Sequence, residues 1–184
     1  MRIMATVLVC LSLAACVSSP TQRDPLKQKV SVSVSGPNMP VTRNTPLSWY
    51  SDVISINDTG NNQTSDKAMP SWAKGEIQQQ MEARGFLFTD DATRYQVVSV
   101  LLLGEGEVSQ STQAMFRLFP SLQGTSKDYP KGTLLLGILD SNTSKGVWRS
   151  ALQTFATPEA SEQERRERLT AAIADTLKDL QPGR

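Results

Sequence analysis

Val30-Ser31-Val32-Ser33-Val34 alternates apolar and polar at every position. That period of two predicts a half-buried β-strand, and Gly36-Pro37 ends it. A less regular stretch from Leu47 through Ile56 predicts a second strand, closed by the turn-rich Asn57-Asp58-Thr59-Gly60-Asn61-Asn62. A hairpin with a long connection is the expected pairing of these two. From Pro70 the period lengthens, and Ala73, Ile77, Met81 and Arg84 recur at helical spacing. Pro70 suits the first turn, where its missing N–H costs nothing, and Gly85 suits the C-terminal cap. The polar face, Glu76, Gln78, Gln79 and Glu82, is expected to meet water.

Phe86-Leu87-Phe88 leads into the turn Thr89-Asp90-Asp91-Ala92, and Tyr95 to Leu103 then predicts a long central strand. Its nearly continuous apolar run predicts cover on both faces. Gly132 to Asp140 predicts another strand, which turns through Ser141 to Gly146 so that Val147 to Phe155 returns antiparallel. Within the returning strand Trp148 is expected in the core and Arg149 outside. Thr157-Pro158 and the capping box Ser161-Glu162-Gln163-Glu164 are two start signals for a last helix. Its stripe is Leu169, Ala172, Ile173, Thr176, Leu177 and Leu180, with Pro182-Gly183 as its stop. Glu162 with Arg166 and Glu164 with Arg168 stand at i,i+4, a spacing that adds a few tenths of a kcal/mol per ion pair, about 0.2–0.5. The order of elements implies an α+β fold: one mainly antiparallel sheet of about five strands with two helices packed on one face.

The apolar run at the N-terminus changes the picture from fold to place. Arg2 is a short positive region, Ile3 to Leu13 an apolar one, and Ala14-Ala15 supplies small side chains before Cys16. That is the order of a secretory signal. Its length falls short of the roughly 20 apolar residues that a membrane-spanning helix needs. Leu13-Ala14-Ala15-Cys16 resembles a bacterial lipobox. The resemblance implies cleavage before Cys16, a diacylglycerol on its sulfur and an acyl chain on its freed amine. Two buried chains already anchor a protein stably. The expected organisation is therefore a signal peptide over 1–15, a lipidated Cys16 and flexible leader over 16–28, and one domain over 29–184. Val17, in place of Asp after the anchor, implies sorting to the outer membrane, with the domain facing the periplasm.

Composition narrows the chemistry. Cys10 would leave with the signal and Cys16 would be lipidated, so neither of the 2 cysteines stays free for a disulfide, a metal or catalysis. Loss of Arg2 leaves 18 basic residues against 18 acidic ones, from 19 and 18 in the whole chain. Nucleic acid is not an expected partner, since phosphate binding needs a clustered basic excess. Histidine is absent from the sequence, which removes the commonest general base and metal ligand.

Gly132-Thr133-Leu134-Leu135-Leu136-Gly137-Ile138-Leu139-Asp140 with Gly146-Val147-Trp148-Arg149-Ser150-Ala151 resembles the late hairpin of the lipoproteins grouped as domain-of-unknown-function family 4136. Thr45-Pro46-Leu47-Ser48-Trp49 is a loose match to that family's early Thr-Tyr-Ala-Trp-like strand. Ala83-Arg84-Gly85-Phe86 matches its Lys-Gly-Tyr-like helix end, and Val147-Trp148-Arg149-Ser150 its Val-Trp-Arg-Gly, with Ser150 in place of the favoured Gly. The resemblance covers most of the mature chain. It implies a fold and a location and carries no established activity.

Three groups of residues invite a chemical reading. Ser71-Trp72-Ala73-Lys74 has the Ser-x-x-Lys pattern of penicillin-binding enzymes, but their Ser-Asp-Asn and Lys-Thr-Gly partners are missing, and Lys131-Gly132-Thr133 scrambles the latter. Asp90-Asp91 and Glu105-Gly106-Glu107 are carboxylate clusters without the ligand number of a calcium loop. The long connection from Gly104 to Lys131 contains Met115-Phe116-Arg117-Leu118-Phe119-Pro120. A connection of that length is usually functional or disordered, and Met, Arg and aromatics have the composition of interface anchors. Met115, Phe116, Arg117, Leu118 and Phe119 are accordingly the candidate partner-binding residues, or else a lid over one end of the core. The leading expectation is a membrane-anchored envelope lipoprotein, not an enzyme and without cofactor or metal, that binds an envelope protein. The alternatives are a carrier of a hydrophobic small molecule or lipid, and a cation-dependent envelope enzyme using Asp90, Asp91, Glu105 or Glu107.

Overall fold

The computed structural model describes residues 30–35, 38–57, 68–104, 131–155 and 160–183. The expected signal and leader, Cys16, and the connection holding Met115, Phe116, Arg117, Leu118 and Phe119 lie outside the described residues. The chain runs β1 (Val30–Ser35), β2 (Pro46–Trp49), β3 (Ile54–Asn57), α1 (Met69–Ala83), β4 (Leu87–Phe88), β5 (Tyr95–Gly104), β6 (Lys131–Asp140), β7 (Lys145–Phe155) and a second helix, α2 (Glu162–Leu177). The fold is α+β; among the described residues it has two helices and a mixed sheet of seven strands, not about five mainly antiparallel ones.

The strand order is β1-β7-β6-β5-β2-β4, with β3 also on β5. β5, β6, β7 and β1 pair antiparallel, whereas β2 and β3 run parallel to β5 and β4 parallel to β2. The parallel pairs exist because α1 is a crossover that returns the chain to the start of β2 before β4 begins. Sequence pattern misses them because β3 and β4 are four and two residues long, too short to show a period. The expected hairpin of the first two strands does not form either. β1 pairs with β7 at the far side of the sheet from β2. Between them the chain buries Val41 completely and bridges Thr42 to Gly183, so the connection is held by the core and the C-terminal segment.

The core lies between the helices and one face of the sheet. Register places Leu47, Tyr95, Val97, Ile138 and Trp148 on that face, where they cluster with Ile77 and Met81 of α1 and with Ile173, Leu177 and Leu180. Alternation along each strand sends Val98, Val100, Leu102, Leu135, Leu139 and Ala151 to the other face, where Leu102 and Ala151 are buried and the rest half-buried. Trp148 is buried and Arg149 exposed, as the alternation requires.

Both helices start where the sequence says. Pro70 sits in the first turn of α1, and Gly85 follows its end with φ of 92°, a backbone region that favours glycine. The α2 capping box is complete: Ser161 Oγ accepts from Glu164 N at 3.3 Å, and Glu164 Oε2 accepts from Ser161 N at 2.8 Å. The Glu162–Arg166 ion pair forms at 2.7 Å. Glu164 is engaged by the cap, which holds its carboxyl below the ordinary range, with the Arg168 charge adding to this. The end of α2 is earlier than Pro182-Gly183. The helix stops at Leu177, and the chain turns to bury Leu180 and to donate from Gly183 N to the Val41 carbonyl at 2.7 Å. Burying an extra leucine and tying the C-terminal segment to Val41 outweighs one further helical turn.

Candidate functional site

The most connected polar and aromatic cluster forms where β2 gives way to β3 beneath α1. Two more residues separate Trp49 from Ile54 than separate their partners Val97 and Val100, so Tyr50 to Val53 must bulge out of the ladder. Tyr50 keeps the line by donating its N–H to the Val97 carbonyl at 2.9 Å while its side chain is 61% exposed. On α1, Lys74, Gln78 and Glu82 are four apart and share a face. Trp49 Nε1 donates to Gln78 Oε1 at 3.0 Å, and Gln78 Nε2 donates in turn to Glu82 Oε1 at 2.9 Å. Lys74 Nζ stands 5.5 Å from the Trp49 ring centroid and donates to Asp52 Oδ1 at 2.7 Å. The Phe88 ring lies 6.1 Å from Trp49 at 32°. The Lys74 hydrogen bond and charge hold the Asp52 carboxyl below its ordinary range.

This cluster pins the β2–β3 break to the helix. Its aromatic ring is already occupied by a cation, an amide and a second ring, and Asp52 is 91% exposed, where an ion pair adds little. Lys74 is thereby committed to Asp52 and Trp49, and Ser71 is exposed on the first turn of α1. Thr133, from the scrambled Lys131-Gly132-Thr133, is buried in β6 and accepts from Gln153 Nε2 at 3.2 Å. The structure therefore does not bring the Ser-x-x-Lys residues into a shared site with Thr133. Sequence reading overlooked Asp52 and treated Gln78 and Glu82 as a solvated face; the i,i+4 run from Lys74 was the available signal.

A second constellation locks the β6–β7 turn. Arg94 Nη2 and Nε donate to the two carboxylate oxygens of Asp140 at 2.8 and 3.2 Å, and Asn142 N donates to Asp140 Oδ1 at 3.0 Å. The Arg94 guanidinium carbon lies 5.0 Å from the Tyr95 ring centroid. Arg94 first, and then the turn amides, hold the Asp140 carboxyl below its ordinary range although burial pushes the other way. The neighbouring Asp90 and Asp91 are exposed on the segment that crosses β2, where Thr89 N donates to the Leu47 carbonyl at 2.9 Å and Thr93 N to Ser48 Oγ at 3.1 Å. Glu105 and Glu107 lie outside the described residues. Among the described residues no group of three or more acidic side chains is placed to hold a metal ion.

Where a carrier of the expected kind would keep its ligand, between sheet and helices, Leu47, Ile77, Met81, Ile138, Ile173 and Leu177 are fully buried against one another. At the outer side of α2, Glu162, Gln163, Arg166, Glu167 and Thr170 line a shallow, open depression. Arg166 there stands 5.6 Å from the Trp72 ring centroid. Among the described residues no helix is long and apolar enough to cross a membrane.

Leu47, Phe86 and Trp148, one from each motif shared with family 4136, are all buried in the core, so those motifs encode the fold. Residues 42–180 match the family model described as a domain of unknown function, DUF4136. The chain belongs to the DUF4136 family. No curated protein matches it. Among solved structures, a DUF4136 family protein from Bacteroides thetaiotaomicron aligns with a TM-score of 0.51 at 11% identity, covering 82% of this chain and 94% of that one. PelC from Paraburkholderia phytofirmans, solved as a dodecamer, aligns with a TM-score of 0.50 at 15% identity over 83% and 98% of the two chains. Lipoprotein GNA1162 from Neisseria meningitidis aligns at 0.35 and 10% identity, over 74% and 99%. At such identities the DUF4136 likeness is one of fold.

Proposed function

We propose that this DUF4136 protein is a lipid-anchored, non-enzymatic component of the bacterial envelope that binds a second envelope component. Its domain faces the periplasm from the outer membrane. The observation that carries the reading is Leu13-Ala14-Ala15-Cys16 behind Arg2 and an apolar run. The described polar clusters support it, because each is spent on structure: Lys74 and Gln78 on the β2–β3 break, Arg94 and Asp140 on the β6–β7 turn. The partner-binding residues are Met115, Phe116, Arg117, Leu118 and Phe119.

The anchor is tested by intact mass spectrometry of protein extracted from membranes. The expected N-terminus is a Cys16 carrying three acyl chains, and Cys16→Ser should release the protein from the membrane fraction. An unmodified N-terminus on the membrane-extracted protein overturns the anchor. Binding is tested by crosslinking whole envelopes and recovering the protein. One specific partner is expected, and it should be lost with the pair Phe116→Ala and Phe119→Ala. No specific partner, or recovery unchanged by the pair, overturns the binding role.

A further inference from the structure

Among the described strands β1 stands at the edge of the sheet. Among the described residues its ladder runs to β7 alone, and an edge of this kind offers a row of N–H and C=O groups to any strand that fits. Natural edges are blunted by charge, proline, bulges or brevity. The six residues of β1 hold no charge, proline or glycine, and their pairing with β7 runs without a register shift. The opposite margin of the sheet is broken, by the Tyr50 to Val53 bulge and by a β4 only two residues long. Ser31, Ser33 and Val34 are exposed, Val34 at 42%. Ser31 and Ser33 lie on the side of the sheet that carries α2, which reaches β1, and both stay exposed there.

The strict alternation says what fits. In an antiparallel pair, residues directly opposite share a face. When β1 meets a second β1 with Ser33 opposite Ser33, Val32 falls opposite Val34 on the face away from the helices and Ser31 opposite Ser35 on the helix face. Like meets like, β-branched against β-branched, and no charge is set against charge. A shift by one residue would set valine against serine and turn the two helix layers to opposite sides. We infer that β1 is a homodimerisation edge, pairing antiparallel with β1 of a second copy about a two-fold axis through Ser33. The product is one sheet continuous across the axis, with both helix layers on one side and the apolar row of Val32 and Val34 closed at its centre. Such an interface is self-complementary by identity, as two-fold contacts are.

The full chain, extracted in mild detergent, is the material for the test. Its protein mass, read by light scattering with the detergent contribution removed, should be twice the monomer. Val34→Lys sets two ammonium groups across the axis from valines at an already exposed position, so it should return the monomer mass, with an unfolding midpoint that no longer rises with protein concentration as the dimer's does. Independently, Ser33→Cys should yield on mild oxidation a disulfide joining position 33 of one copy to position 33 of the other, identified by peptide mass. Ser141→Cys, in the exposed β6–β7 turn, should not couple to itself under those conditions. A monomer at all concentrations, an assembly larger than a dimer, a dimer indifferent to Val34→Lys, or coupling equal at positions 33 and 141 overturns the inference. If Val34→Lys fails to fold, the position-33 disulfide decides alone. None of these readouts depends on acylation of Cys16 or on a heterologous partner.

Discussion

Asp140 shows how a single side chain in this protein couples charge to structure. It is 5% exposed, receives both nitrogens of the Arg94 fork and caps an amide of the turn that follows. Because its carboxyl titrates lower folded than unfolded, its contribution is complete above the unfolded value, ordinarily 3.8, and is lost as pH falls through the lower folded one. Wild-type stability should therefore drop as pH is lowered from about 4 towards 2, by urea midpoints. Asp140→Asn should be less stable at neutral pH and show a shallower acid loss. An equally steep loss in the variant would assign the acid sensitivity to other carboxylates. Gly183 acts through absence. A Cβ there would run into the Met39 carbonyl, so Gly183→Ala should cost about 1–3 kcal/mol in denaturant unfolding, the range of overpacked sites. The residue types at both positions were plain in the sequence, but their partners lie 46 and 144 positions away. No local pattern encodes that distance.

At the scale of elements, period and cap were sufficient wherever an element is long. α1, α2, β5, β6 and β7 lie where the pattern puts them, within a few residues. The helix face that matters is equally legible: Ala73, Ile77 and Met81 are buried, at 0% exposure each. Ile77→Ala should then cost about 2–5 kcal/mol, as deletions from packed cores do. Gln79→Ala, exposed on the same helix, should stay within about 0.5 kcal/mol. Equal losses in thermal or chemical unfolding would mean that α1 does not pack by this face. Short elements were another matter. β3 and β4 make too few ladder bonds to leave a period, and they exist because β5 and β2 are present to receive them. The Trp49–Gln78 and Lys74–Asp52 contacts follow from that arrangement, which is why the polar face of α1 read as solvent-facing.

The whole molecule is a hierarchy of strand order. β5, β6 and β7 are ten, ten and eleven residues long and flank one another at the sheet's centre. Native-state hydrogen exchange should accordingly be slowest in β5 to β7 and faster in β1, β3 and β4, since local opening costs least where buried contacts are few. Protection in β1 equal to that in β6, seen in dilute monomer, would contradict this ranking. At the concentrations where β1 self-pairs, its protection should rise, so the measurement bears on both claims.

The chain's own pattern sets its secondary structure, its apolar faces, the helix caps and the Cys16 motif, because each depends on residues within a few positions of one another. The α+β class follows from their order. Tertiary structure settled which strands are neighbours, that three of the pairings are parallel, that α2 ends at Leu177 in favour of burying Leu180, and that the polar clusters brace loops. Those outcomes rest on contacts between residues far apart in the chain, whose balance of burial, hydrogen bonding and chain closure exists only once the core has closed.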